Sequence, residues 1–116
     1  MNITIESLIG QYTFHDSSLD DIRYDVRLKT LTLIFENFPF WMQNDHKKDE
    51  PENALLKLVF HGVKKYDGPS DSDESWSVDN ATLEDEKTVR FFLTDEINNK
   101  YTEMTISADN VEIFKQ

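Results

Sequence analysis

Short runs in which hydrophobic and polar residues alternate constrain the fold of this chain more than any other feature of its sequence. The run 22–26 alternates apolar with charged side chains, and the run 30–35 places three large apolar residues at every second position. A period of two puts these side chains on one face of an extended strand. Because only the residues 27–29 separate the two runs, they predict a β-hairpin.

Later parts of the chain continue the strand pattern. The run 54–66 is apolar on both faces, which predicts a central strand, with Gly62 marking a bulge. Further strands are predicted at 76–78, 88–94, 100–108 and 110–114. The residues 3–9 are predicted to form a short helix or, as the alternative, a first strand. The fold class expected is mainly β, or α+β with one short N-terminal helix. About six antiparallel strands would form a curled sheet, a sandwich or an open barrel.

Length and composition set the scale of this fold. The 116 residues suit one domain, 1–116, and eight Phe, four Tyr and two Trp supply enough apolar surface to order it. The absence of Cys excludes disulfides and thiolate metal sites and agrees with a cytoplasmic location. The residues 1–14 lack a basic region and an unbroken apolar run, so neither a signal peptide nor a membrane span is expected.

Acidity is the main electrostatic feature of the chain. Twelve Lys plus Arg against 23 Asp plus Glu give a net charge of -11, which opposes binding to nucleic acid and favours a basic protein as partner. The charge is concentrated in the segment 67–86, which contains eight acidic residues and no basic one. This segment is therefore where a basic partner is expected to bind, unless it is simply a solvated loop.

The sequence His15-Asp16-Ser17 contains three residue types found in hydrolase triads. Adjacent residues do not form a relay of nucleophile, base and orienting acid without unusual geometry. The element is instead predicted to be a structural turn, in which side chains bond to the backbone. No catalytic residue follows from it.

The sequence gives equally little support for a metal site or a nucleotide-binding site. The histidines His15, His46 and His61 are not at a zinc-ligand spacing, and the acidic string 71–74 lacks the glycine and the distal glutamate of an EF-hand loop. Three isolated glycines do not make a phosphate-binding loop. The sequence therefore predicts no metal, no cofactor and no enzymatic activity.

Aromatic residues are densest in the segment 38–42, and two more flank the acidic segment. Such residues either close one end of a β core or anchor a protein interface, where Trp and Tyr contribute more binding energy than other types. The interface hypothesis names six candidate partner-binding residues: Trp41, Tyr66, Asp71, Asp73, Glu74 and Trp76.

One pattern in the first half of the chain resembles a known group of domains. It consists of Phe14-His-Asp-Ser17, Leu19, Ile22, Tyr24-Asp25, Leu31-Thr-Leu33 and Leu58-Val-Phe60-His-Gly-Val63. The pattern is similar to small β-rich bacterial domains of unknown function, some of them classed as immunity proteins of polymorphic toxin systems. This resemblance implies a β-rich bacterial domain in the cytoplasm and carries over no catalytic residue.

Three hypotheses of function follow. The first is a non-enzymatic binding protein, of immunity type or otherwise, that meets a basic partner through its acidic segment. The second is a structural domain that self-associates through a sheet edge or an aromatic patch. The third is a small-ligand or metal-binding domain with a site near His15 and Asp16.

Overall fold

The predicted β fold is confirmed in a computed structural model, which describes residues 2–44, 46–70 and 75–115. The described residues form two antiparallel sheets of five strands each, packed as a sandwich, and one short helix. The helix α1 spans Ile5–Gln11, and a single 3-10 turn spans Phe40–Met42. The strands are β1 (Asn2–Ile3), β2 (Ser17–Leu19), β3 (Asp21–Asp25), β4 (Thr30–Pro39), β5 (Asn53–His61), β6 (Lys65–Asp67), β7 (Trp76–Asp85), β8 (Thr88–Asp95), β9 (Lys100–Ser107) and β10 (Asn110–Lys115).

The first sheet has the order β1-β10-β5-β4-β3, and the second has the order β2-β7-β8-β9-β6. The hairpin predicted from the alternating runs is β3 with β4, and its turn places Lys29 at a φ of 55°. The run 54–66 was predicted to be central, and β5 does pair on both sides, with β4 and with β10. The structure contains more strands than the six expected because β1, β2 and β6 are only two or three residues long.

The helix α1 begins at Thr4, whose side chain accepts a hydrogen bond from the backbone N–H of Ser7 at 3.0 Å. This contact satisfies one of the free donors at the helix start. Ile5 and Leu8 are three residues apart, so they share one helix face, and both are buried. The helix thereby joins the single hydrophobic core that the inner faces of the two sheets form.

An aromatic cluster occupies the middle of this core. Phe14, in the loop before β2, packs at ring-centroid distances of 5.3 to 6.3 Å against four other rings: Tyr12, Phe35, Phe38 and Phe91. Phe35 and Phe38 belong to the first sheet and Phe91 to the second. Phe14 therefore connects the two sheets through direct ring contacts.

Four turns meet at one end of the sandwich, which we call the turn end. The backbone N–H of Val63 donates to the carbonyl of Lys29, and that of Ala108 donates to the carbonyl of Lys87. Gly62 lies at this end with a φ of 65°, a conformation that L side chains rarely adopt, and it abuts the carboxylate of Asp109. Gly62 therefore ends β5 rather than interrupting it.

Two carboxylates at the turn end have pKa values below the ordinary 3.8. The pKa of Asp85 is lowered chiefly by the backbone N–H of Lys87, which donates to Oδ1 at 2.9 Å. The pKa of Asp109 is lowered chiefly by Lys64, whose Nζ lies 3.4 Å from Oδ1, with a smaller effect from Lys87. Both contacts favour the ionised form of the carboxyl group.

We expect NMR titration of the carboxyl carbons to give midpoints below 3.8 for Asp85 and Asp109 in the folded protein. The stabilisation that each group provides is complete above its unfolded pKa and is lost as the pH falls through the lower folded pKa. As a control, replacing Lys64 with Met raises the pKa of Asp109 back towards 3.8 and leaves that of Asp85 unchanged. A midpoint at or above 3.8 for Asp109 in the native protein contradicts the ion pair.

Candidate functional site

The His15-Asp16-Ser17 element forms a tight turn that joins the loop after α1 to β2. Asp16 has a φ of 65°, which Asp tolerates better than most residues, and its backbone N–H donates to the carbonyl of Val78 at 3.0 Å. The buried Ser17 hydroxyl donates to the carbonyl of Phe14 at 2.6 Å. These bonds hold Phe14 in the aromatic cluster.

The side chain of His15 contributes to the same junction. Its Nδ1 donates to the backbone carbonyl of Asp79 at 2.6 Å, and its Nε2 lies 3.3 Å from Oδ2 of Asp16. The Ser17 hydroxyl is already bonded to the backbone, and no bond joins it to His15. The three side chains therefore form no nucleophile–base pair here. Among the described residues, no group of three His, Asp or Glu is arranged to hold a metal ion.

The three candidate aromatic residues do not form one patch. Trp41 is 56% exposed beyond the end of β4, whereas Trp76 is only 6% exposed and belongs to the core. The half-buried Tyr66 packs against Tyr24 at 5.1 Å and donates its hydroxyl to the carbonyl of Pro69. Of the three, Trp41 is the one that presents most of its side chain to solvent.

Strand register explains why Tyr66 and Trp76 are apart. Tyr66 pairs with Ile106 on β9, Ile106 with Val89 on β8, and Val89 with Leu83 near the last residues of β7. Trp76 is the first residue of that same ten-residue strand. At about 3.4 Å per residue, the two aromatics lie at opposite ends of the second sheet.

The acidic segment 67–86 is likewise divided by the fold. The candidate residues Asp71, Asp73 and Glu74 lie outside the described residues. Glu84 forms an ion pair with Arg90 at 2.8 Å, and Asp85 is the last residue of β7, next to the turn that leads to β8. Asp79 lies far from these two residues, near the start of β7. The segment is therefore not one continuous acidic surface in its described part.

A cleft of about 280 Å³ opens at the end of the sandwich opposite the turn end. It lies where β7 begins and β8 ends, because Ser77 pairs with Thr94 across these strands. Four of its lining residues carry hydroxyl groups: Ser18, Ser75, Ser77 and Thr94. The other four are two acidic and two large apolar residues: Asp95, Glu96, Trp76 and Ile97.

Carboxylates surround this cleft and fix its hydroxyl groups. Oδ1 of Asp20 accepts hydrogen bonds from the hydroxyls of Ser18 at 3.2 Å and Ser75 at 3.1 Å. Oδ1 of Asp79 accepts one from Thr94 at 3.3 Å. Because these three hydroxyls donate to carboxylates, their oxygens remain available only as acceptors.

Asp95 is a buried acid, with 7% of its surface exposed. Its two carboxylate oxygens accept hydrogen bonds from the backbone N–H and the side-chain amide of Asn98, at 3.2 and 2.8 Å. These bonds shape the turn between β8 and β9, on which Glu96 and Ile97 are carried. Lys100 lies opposite Asp95 in the β8–β9 register. The lining residues themselves include neither Lys nor Arg.

Two exposed apolar residues stand beside the carboxylates. Ile97 is 95% exposed at the tip of the β8–β9 turn, and Tyr101 is 58% exposed on β9. Loss of hydration and the nearby carboxylates of Glu103 and Asp79 raise the pKa of the Tyr101 phenol above 10.0. The carboxylates thus produce a negative potential where apolar surface is available for contact.

We call this region the acidic end and define it by Asp16, Asp20, Asp79 and Glu96. Within the described part of the chain, Asp16, Asp20, Asp79 and Glu96 form no ion pair with Lys or Arg. At the turn end, by contrast, Asp109 lies within 3.6 Å of the Nζ atoms of both Lys64 and Lys87. Unneutralised carboxylates are thus grouped around the cleft.

Glu96, Ile97 and Tyr101 are not among the candidate residues that the sequence predicts. A signal for Ile97 does exist, because it is the single apolar residue within the polar turn 95–99 and no strand alternation requires it. The convergence of Asp20 with Ser75 has no local signal, since 55 positions separate them in the sequence. Only the pairing of β2 with β7 brings the two residues together.

Most of the described sheet edge does not favour self-association. Three of the four edge strands, β1, β2 and β6, have two or three residues, and the outer part of β7 carries carboxylates and two irregularities in register. The fourth edge strand, β3, has five residues, of which Asp21, Arg23 and Asp25 are charged. Short, charged and bulged edges hinder pairing with another sheet. No helix in the described part of the chain is long and apolar enough to cross a bilayer.

Comparison of the chain with protein-family models, curated protein sequences and solved structures found no significant match. The function is therefore argued from the geometry and chemistry of the acidic end.

Proposed function

We propose that this protein is a non-enzymatic binding domain that recognises a basic protein partner through its acidic end. The grouping of unneutralised carboxylates around the cleft supports the proposal most, because a partner's Lys and Arg side chains are the ions that complement it. Charge complementarity of this kind accelerates association and disfavours acidic competitors. Inhibition of a basic toxin, as by an immunity protein, is one form that this function would take.

The apolar residues beside the carboxylates strengthen the proposal. Charged groups at the rim of an interface contribute mainly to association rate, whereas buried apolar contacts supply much of the affinity. Ile97 and Tyr101 expose most of their side chains next to Asp79 and Glu96, so one partner surface is able to contact both kinds of group. The acidic end therefore offers charged groups that raise the association rate and apolar groups that raise the affinity.

The test compares two charge variants as baits for capture from cells of the source. The first is Asp16→Asn/Asp79→Asn/Glu96→Gln, at the acidic end; the control is Glu6→Gln/Asp67→Asn/Glu86→Gln, which removes equal charge elsewhere. All six side chains are exposed. We expect a basic protein that binds the native domain and the control, and that binds the first variant about ten-fold more weakly.

Purified components then give the decisive measurement. Isothermal titration of the captured protein against the native domain should show a defined stoichiometry and an affinity that falls as salt rises from 50 to 300 mM, because salt screens exposed charges over about 10 Å. A captured partner that binds both variants equally, or binds independently of salt, contradicts the proposed role of the acidic end.

A further inference from the structure

The turn between β3 and β4, which we call the hairpin tip, exposes two apolar side chains at the turn end. The tip comprises residues 26–29, of which two are apolar and two are basic. Val26 and Leu28 are 68% and 72% exposed. Strand alternation requires neither residue, because the tip lies outside both strands. Neighbouring apolar side chains on one exposed turn offer a surface for contact with another molecule.

Hydrogen bonds hold the hairpin tip in one conformation. Oδ1 of Asp25 accepts a hydrogen bond from the backbone N–H of Leu28 at 3.0 Å. The carbonyl of Lys29 accepts one from the backbone N–H of Val63 at 2.9 Å. An ordered turn loses less conformational entropy on binding than a flexible one. The tip therefore presents its exposed side chains from a fixed position.

The hairpin tip is basic, although the chain as a whole is acidic. Within the described part of the chain, Arg27 and Lys29 form no ion pair, and the turn 26–29 contains no acidic residue. The tip therefore complements a surface that combines carboxylates with exposed apolar groups. The acidic end is such a surface, because Ile97 and Tyr101 are exposed there beside unneutralised carboxylates.

A single molecule does not bring these two surfaces together. The strand β8 begins at the turn end with Thr88 and ends at the acidic end with Asp95, and its length of eight residues corresponds to about 25 Å. We infer that the hairpin tip binds the acidic end of a second copy of this chain. The inference rests on the proposed function, in which the acidic end receives a basic protein surface.

The net charge of -11 does not prevent this contact. Salt screens charges over about 8 Å at physiological ionic strength, and a head-to-tail arrangement places opposite charges closest together. The two acidic ends remain separated by the length of a domain. Contact between opposite ends of identical chains continues from copy to copy unless it closes into a ring. It involves no strand pairing, so the short and charged sheet edges do not oppose it.

Sedimentation velocity between about 20 µM and about 1 mM measures this association. We expect the native chain to associate with a Kd of about 0.3 mM per contact, because few side chains take part. The tip variant Arg27→Gln/Leu28→Ser/Lys29→Gln should associate at least about ten-fold more weakly. The control Lys47→Gln/Lys48→Gln removes the same charge from exposed positions elsewhere and should associate as the native chain does.

Mixing two variants tests whether opposite ends meet. The acidic-end variant Asp79→Asn/Glu96→Gln/Ile97→Ser keeps the hairpin tip, whereas the tip variant keeps the acidic end. Neither should associate alone, but an equimolar mixture should form a heterodimer with about the native Kd. The assembly should stop at two copies, because the remaining two surfaces are both altered. Recovery in the mixture also shows that both variants are folded.

Three results would each overturn the inference: a native chain that stays monomeric at about 1 mM, a tip variant that associates as the native chain does, or a mixture without heterodimer. If the native chain stays monomeric while its tip binds vesicles of anionic lipid, a lipid surface and not a second copy is the partner of the tip. None of these results affects the proposed function. That function falls only if capture of the basic partner is indifferent to the acidic end.

Discussion

Replacing Phe14 with Ala is expected to lower the free energy of unfolding by about 3–5 kcal/mol, the usual cost of removing a large ring from a packed core. The ring is 2% exposed and contacts aromatic residues of both sheets, including Phe35 and Phe91. Its loss leaves a cavity between the sheets that backbone relaxation fills only partly. For a domain of this size, such a change is a large fraction of total stability.

Denaturant unfolding followed by circular dichroism measures this loss. Phe114→Ala is the matched control, because that ring, on β10, is 41% exposed and its truncation should cost about 1 kcal/mol or less. If Phe14→Ala costs no more than Phe114→Ala, Phe14 does not join the sheets as described.

The two tryptophans should respond very differently to the same substitution. Trp76→Ala removes a buried indole and is expected to cost about 3–5 kcal/mol, whereas Trp41→Ala removes an exposed one and is expected to cost about 1 kcal/mol or less. The reason is burial alone, since both changes delete the same group. The domain therefore tolerates variation at Trp41 and not at Trp76.

Thermal or denaturant unfolding of the two variants provides the comparison, with intrinsic fluorescence identifying each remaining indole. The native Trp76 should emit at a shorter wavelength than Trp41, because it is 6% exposed and Trp41 is 56% exposed. Equal destabilisation by the two substitutions would contradict the place of Trp76 in the core. An emission wavelength for Trp76 that is typical of a solvent-exposed indole would contradict it as well.

Much of the fold was predictable because its determinants are local. The hairpin of β3 and β4 follows from two alternating runs joined by a short turn, and the central place of β5 follows from apolar residues on both of its faces. The length of β7 was underestimated because Asp79, Glu84 and Asp85 suggest a loop. These residues follow the part of β7 that pairs with β2, so they lie where the strand is open on one side and acids are exposed. The strands β2 and β6 are too short to give a periodic signal.

The acidic end was predictable only in part. Net acidity followed from the sequence, since composition alone is sufficient for it. The cleft could not be predicted from the sequence, because it depends on strand register and on contacts between distant residues. Ser77 lies opposite Thr94 in the β7–β8 pairing, and Ser75 donates a hydrogen bond to Asp20. Trp76 and Trp41 also differ in solvent exposure, and composition gives no indication of that difference.

The most direct test of the proposed binding surface is the hydrogen-exchange footprint of the captured basic partner on the native domain. We expect slowed exchange at 75–79 and 94–101, together with loss of that protection in the Asp16→Asn/Asp79→Asn/Glu96→Gln variant. Protection confined to the turn end or to the strands of the first sheet, with 94–101 unaffected, would contradict the proposed surface.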